Sequence, residues 1–137
     1  MKMYFSTHRG NRRSANQDVL LAGSRLAAET NMDGVEALSL DEPRILCAVI
    51  DGMGGYAGGE MAARIVGECL LEESQAMLDA PPADMEEIIL RALGAAAQRM
   101  DDLAWEDRSL GSMGATLAGM VLDGERALVF NCGDCRV

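Results

Sequence analysis

The stretch VIDGMGGYAGGE, Val49 to Glu60, decides how this chain is read. An apolar run ends on a single carboxylate, Asp51, and the residues after it give up nearly all their side chains. A strand that runs into Gly-rich backbone marks a place where something small comes very close to the main chain. A phosphate would settle on amide N–H groups, and a cation on carboxylate and carbonyl oxygens. Asp51 sets these two readings against each other, because its charge repels the first and attracts the second.

Working outward, RILCAVI (Arg44–Ile50) is a continuous apolar run with β-branched residues and predicts a buried strand. After the glycines, Met61, Ile65, Cys69 and Leu70 fall on one helical face, with Glu60, Arg64, Glu68 and Glu72 on the other. Pro81-Pro82 must end that helix. Asp84, followed by Glu87, predicts an acidic capping box. It would open a second helix whose buried face runs through Ile88 or Ile89, Ala92, Ala96, Met100 and Leu103. Methionines on these stripes read as core filler. GATLAGMVL and ERALVFNC, joined at Asp123-Gly124, predict a hairpin with a type I′ turn, apolar and therefore covered on both faces. Near the N-terminus, Lys2–Thr7 suits an edge strand, and NQDVLLAG a further strand ending at Gly23. Ser24–Arg44 reads as a loop or weak hairpin, punctuated by Asn31, Asp33-Gly34 and Pro43. Strands, two helices and then strands favour an α+β fold with antiparallel pairing over an alternating parallel sheet.

At 137 residues the chain is at most one domain, and it contains no apolar run long enough to span a membrane. No apolar signal segment follows Met1, which favours a cytoplasmic protein. The net charge of −10, from 12 basic and 22 acidic residues, argues against nucleic acid as a partner and is compatible with cation binding. Cys47, Cys69, Cys132 and Cys135 are expected to be reduced and buried. Cys132-Gly-Asp-Cys135 has the C-x-x-C form but follows a strand, and a chain with one His is short of zinc ligands.

Gly52 to Ala57 also fits G-x-G-x-x-A between a strand and a helix. Against a nucleotide, Asp51 occupies the approach of a pyrophosphate, residues 71–73 are still helical where a ribose-binding acid should end a strand, and no Gly-Lys-Ser/Thr follows. The segment RGNRRSANQD strengthens the cation reading. It places Asp18 at the start of a strand with Arg12 and Arg13 just upstream. Acids at two strand ends, a glycine carbonyl and an arginine make a phosphate-and-metal site.

RRSANQD, VIDGMGGYAGGE, SMGATL and VFNCGDCRV occur in the order of blocks that marks the metal-dependent protein phosphatases, the PPM or protein phosphatase 2C-like family, and the chain most resembles their bacterial branch. The resemblance runs from His8 to Val137. It implies two antiparallel β-sheets flanked by antiparallel helix pairs, a four-layer αββα arrangement. Residues 1–137 would be the N-terminal part of one such domain, incomplete at the C-terminus. It implies a binuclear Mg²⁺ or Mn²⁺ site and hydrolysis of phosphoserine and phosphothreonine in proteins, the targets of a Ser/Thr kinase, by direct attack of water. Asp51 matches the carboxylate that bridges the metals, the Gly52 carbonyl completes one of them, and Asp18 matches an acid that holds a metal-bound water. Arg13 matches the arginine that grips the substrate phosphate, and Asp134 the aspartate of a third, weaker metal.

The chain departs from the family pattern in Gln17, where many members have Glu, and in Cys135, where Ser is usual. Two later aspartate blocks do not occur before Val137, so residues 1–137 alone are expected to be inactive and marginally stable. The alternative is a non-catalytic remnant that binds a phosphoprotein or partner without turnover.

Overall fold

The computed structural model describes residues 1–28 and 31–136, with residues 55–57 described through their backbone alone. Glu29 and Thr30 of the expected loop, the side chains of Tyr56 and Ala57 in the nucleotide-like fingerprint, and Val137 lie outside the described residues. In chain order the strands Lys2–Phe5 (β1), Asp18–Ala22 (β2), Arg25–Ala27 (β3), Glu36–Ser39 (β4) and Arg44–Met53 (β5) come first. The helices Gly55–Glu72 (α1), Ser74–Asp79 (α2) and Met85–Glu106 (α3) follow, and then the strands Gly114–Asp123 (β6) and Arg126–Cys132 (β7). Two antiparallel sheets result: a five-stranded one in the order β3-β2-β5-β6-β7, and a two-stranded one of β1 and β4.

The period-2 alternation of β5 places this architecture. Leu46, Ala48 and Ile50 point to one face, where Val19 and Leu21 of β2 and Leu117 and Val121 of β6 join them in the core. Ala63, Val66, Cys69 and Leu70 of α1, with Ile88, Ile89, Ala92 and Ala96 of α3, close over that face. Each Leu or Ile taken fully from water there contributes roughly 1.5–3 kcal/mol. The odd positions of β5 (Cys47, Val49, Asp51) face away from the helices. There Cys47 and Val49 meet Leu20 of β2 and Met120 of β6, beside Met3 and Phe5 of β1, around an apolar recess of about 280 Å³.

Several elements differ from the sequence expectation. Ser24–Arg44 is neither a loop nor a hairpin of its own: β3 folds back on β2, while β4 crosses to pair with β1. The first helix breaks at Glu73, and a short α2 carries the chain on to Asp79. Asp84 makes no side-chain cap, because the 3-10 turn Pro82–Asp84 runs straight into α3 and leaves Asp84 already helical. In the hairpin Asp123 is still paired with Arg126, so the two-residue loop is Gly124-Glu125, one place later than expected. β7 is mostly exposed, with Val129 more than half so, and is not covered on both faces. The four cysteines are free thiols, yet Cys69 is the one that is buried; Cys47 and Cys135 are half-buried and Cys132 is exposed.

Candidate functional site

The antiparallel register of β2 and β5 sets Asp18 directly opposite Asp51. Directly opposed residues share a face, with Cβ atoms about 4.5–5.5 Å apart, so the two carboxylates project together on the side away from the helices. Their proximity is costly. Burial raises the Asp18 pKa, the Asp51 charge raises it further, and a hydrogen bond shared with Asp51 favours the protonated acid; only the Arg13 charge pulls the other way. A like-charge pair held in register by main-chain hydrogen bonds cannot relax apart as two surface carboxylates would.

Gly52 follows Asp51 and faces the helix side. A Cβ built there would lie 1.9 Å from the carbonyl oxygen of Gly59, so strand and helix approach too closely for any side chain. The Gly52 amide donates to the carbonyl of Gln17 across 3.2 Å, which extends the β2–β5 register by one rung beyond the acids. Gly54, at φ 120°, then turns the chain into α1.

The loop before β2 is shaped by its own polar groups. The Arg9 guanidinium donates to the carbonyls of Arg13 and Ser14, at 3.3 and 3.1 Å, and so curls the segment. Asn16 is buried; its amide donates to Thr7 Oγ1 at 2.8 Å, while its Oδ1 accepts from the Asp18 amide at 3.2 Å. This Asx-type bond fixes where β2 begins, and therefore where Asp18 points. Arg13 Nη1 donates to Gln17 Oε1. Arg9, Arg13, Gln17, Asp18 and Asp51, with His8 at the rim, line one polar recess of about 190 Å³.

Asp18, Asp51 and Arg13 thus come together, with Gly52 as the next residue of the same strand. Asp134 does not line this recess. It is exposed in the bend after β7, on the far side of Thr116, which pairs with Asp51 on one flank and contacts Cys135 Sγ at 2.9 Å on the other. Among the described residues no cluster of three or more His, Cys, Asp or Glu side chains forms. The donor set that does form, the two carboxylates of Asp18 and Asp51, is hard oxygen chemistry and fits Mg²⁺ or Mn²⁺ over softer metals. The sequence reading missed Asn16 and the tie between Gln17 and Arg13. The first had a signal, an Asn two residues before a strand-opening acid; the second had none, because i,i+4 contacts in a non-helical loop follow no period.

Residues 25–137 match the family model described as Protein phosphatase 2C. Arg13 and Asp18 precede that stretch. The crystal structure of the Mycobacterium tuberculosis serine/threonine phosphatase PstP/Ppp is similar at TM-score 0.67 and 25% identity, over 97% of this chain and 47% of that one. A bacterial serine phosphatase bearing an Arg-to-Glu mutation is similar at TM-score 0.73 and 22% identity, over 98% and 53%. The S. agalactiae serine/threonine phosphatase is similar at 0.67 and 19%, over 98% and 49%; these last two show likeness of fold alone. The chain spans about half the length of these structures. No curated protein matches it. With the family model covering most of its length, the chain belongs to the protein phosphatase 2C family.

Proposed function

We propose that residues 1–137 are the N-terminal part of one metal-dependent phosphatase domain, which hydrolyses phosphoserine and phosphothreonine in proteins phosphorylated by a Ser/Thr kinase. The observation that carries this reading is the Asp18–Asp51 pair, two acids held face to face beside an arginine in a polar recess. Asp18, Asp51 and the Gly52 carbonyl would hold Mg²⁺ or Mn²⁺, and Asp134 a further ion. When bound, the cations neutralise phosphoryl oxygens and make a water nucleophilic near neutral pH.

The residues of this chain do the rest. Arg13 presents a planar fork to two phosphoryl oxygens and orients the phosphorus. The Asp18–Asp51 pair fixes the direction from which the nucleophile comes and repels a phosphate that enters without cations. The close approach of Gly52 to Gly59 seats that pair against the first turns of α1.

Asp18 and Asp51 offer only part of the oxygen ligands that two cations take, so catalysis belongs to the complete domain and residues 1–137 alone are inactive. No described helix is long and apolar enough to cross a membrane. The test is release of inorganic phosphate from a phosphoserine peptide by the complete domain with Mn²⁺. Metal-dependent turnover supports the reading; binding of the peptide without turnover would establish the non-catalytic alternative.

A further inference from the structure

We infer that Gln17 is a positioning residue: it aims the Arg13 guanidinium into the recess and ties that aim to the register of the carboxylate pair. The inference rests on the phosphatase reading for what Arg13 grips, but its structural part stands without it.

Gln17 touches the site in three ways. Its Oε1 accepts from Arg13 Nη1. Its main-chain carbonyl accepts from the Gly52 amide at 3.2 Å, so it cannot shift unless the Asp51-Gly52 end of β5 shifts with it. Its Nε2 lies where α1 leaves room for it, since a Cβ on Gly59 would come within 2.5 Å of that nitrogen. The side chain is thus boxed between strand and helix, while Arg13 is exposed on an irregular loop with a long, freely rotating stem. An arginine in such a place needs an anchor to hold its fork in one plane. Anchoring through Nη1 leaves Nη2 and Nε for an anion.

The residue type matters as much as the contact. A carboxylate at this position would pair with Arg13 as an ion pair and compete with an incoming phosphate for the same charge. A neutral amide oxygen orients the guanidinium and leaves its charge unspent. It also leaves the recess with two acids, Asp18 and Asp51, where a glutamate would add a third.

The experiment uses the complete domain, the single variants Gln17→Ala, Gln17→Met, Gln17→Glu and Arg13→Ala, and the double variant of Gln17→Met with Arg13→Ala. Gln17→Met keeps the length of the side chain and removes the acceptor, so it serves if the alanine variant does not fold. The first measurement is ¹⁵N relaxation at Arg13 Nε without ligand. We expect an ordered guanidinium in the wild type and in Gln17→Glu, and a mobile one in Gln17→Met and Gln17→Ala. Equal order in all of them overturns the inference, whether or not the protein hydrolyses anything. The second is the inhibition constant of inorganic phosphate. It should rise on the order of tenfold in Gln17→Met, with kcat changed far less, and likewise in Gln17→Glu. Gln17→Met combined with Arg13→Ala should be no worse than Arg13→Ala alone. Additive losses, or a fall in kcat at unchanged phosphate affinity, would overturn the inference. A wild type without turnover, in which Gln17→Met still mobilises Arg13, supports the positioning and overturns only the phosphatase reading.

Discussion

Asp18 and Asp51 stand directly opposite one another on adjacent antiparallel strands, with their carboxyl groups close enough to share a hydrogen bond. The chain has many exposed acids that could have faced solvent separately. Here the main-chain ladder from Ala22↔Cys47 to Asp18↔Asp51 leaves no choice of partner.

That geometry gives the metal-free protein a pH signature. Asp18 is held above its ordinary value of 3.8 by burial and by Asp51, so the folded state binds its proton more tightly than the unfolded chain does. Its stabilising contribution is therefore full below that value and is lost as pH rises through the raised one. With metal chelated, the wild type should lose Tm relative to Asp18→Asn as pH climbs from about 3 to about 7. Mn²⁺ at neutral pH should restore the wild type and leave Asp18→Asn nearly unmoved. Thermal melts of both across that range provide the check, and parallel curves would count against a strained pair.

Two glycines should respond to alanine for different reasons. Gly52→Ala sets a methyl 1.9 Å from the Gly59 carbonyl oxygen, main chain against main chain, and should cost on the order of 3 kcal/mol or prevent folding. Gly124→Ala meets nothing within 4 Å, and its φ of 59° alone should cost about 1 kcal/mol. Denaturant unfolding separates them. Similar losses would mean that the α1–β5 contact yields more readily than its geometry suggests.

On the proposed role of Arg13, gripping a phosphate present in ground and transition states alike, Arg13→Ala should raise KM for a phosphoserine peptide about tenfold or more and lower kcat much less. Steady-state kinetics on the complete domain decide this. A fall in kcat alone, with KM unchanged, would assign Arg13 to the chemical step instead.

The parts of this molecule that were legible in its sequence are those with a period or a steric rule behind them. The continuous apolar run RILCAVI and the helical stripes of α1 and α3 announced the core, and the glycines after Asp51 announced close main-chain approach. β3 and β4 were not legible, because at three and four residues they are too short to show a period, and are strands by virtue of their partners β2 and β1. The turn register was missed by one residue because Asp123 prefers to stay paired with Arg126, leaving the positive φ to Gly124. Block resemblance and strand ends singled out Asp18, Asp51 and Arg13, which the structure brings to one recess. The bonds of Asn16 and Gln17 that aim them depend on a loop conformation that no local pattern encodes.

On the proposed function, the Asp18–Asp51 pair holds the divalent cations on which phosphate-ester hydrolysis depends. The most direct test is calorimetric titration of Mn²⁺ into the complete domain and its Asp51→Asn variant, with phosphate release from a phosphoserine peptide followed in the same samples. Mn²⁺ binding and turnover are expected in the wild type, with both abolished together by Asp51→Asn. Turnover that survives chelation, or an Asp51→Asn variant that still binds Mn²⁺ and hydrolyses the peptide, would contradict that role of the pair.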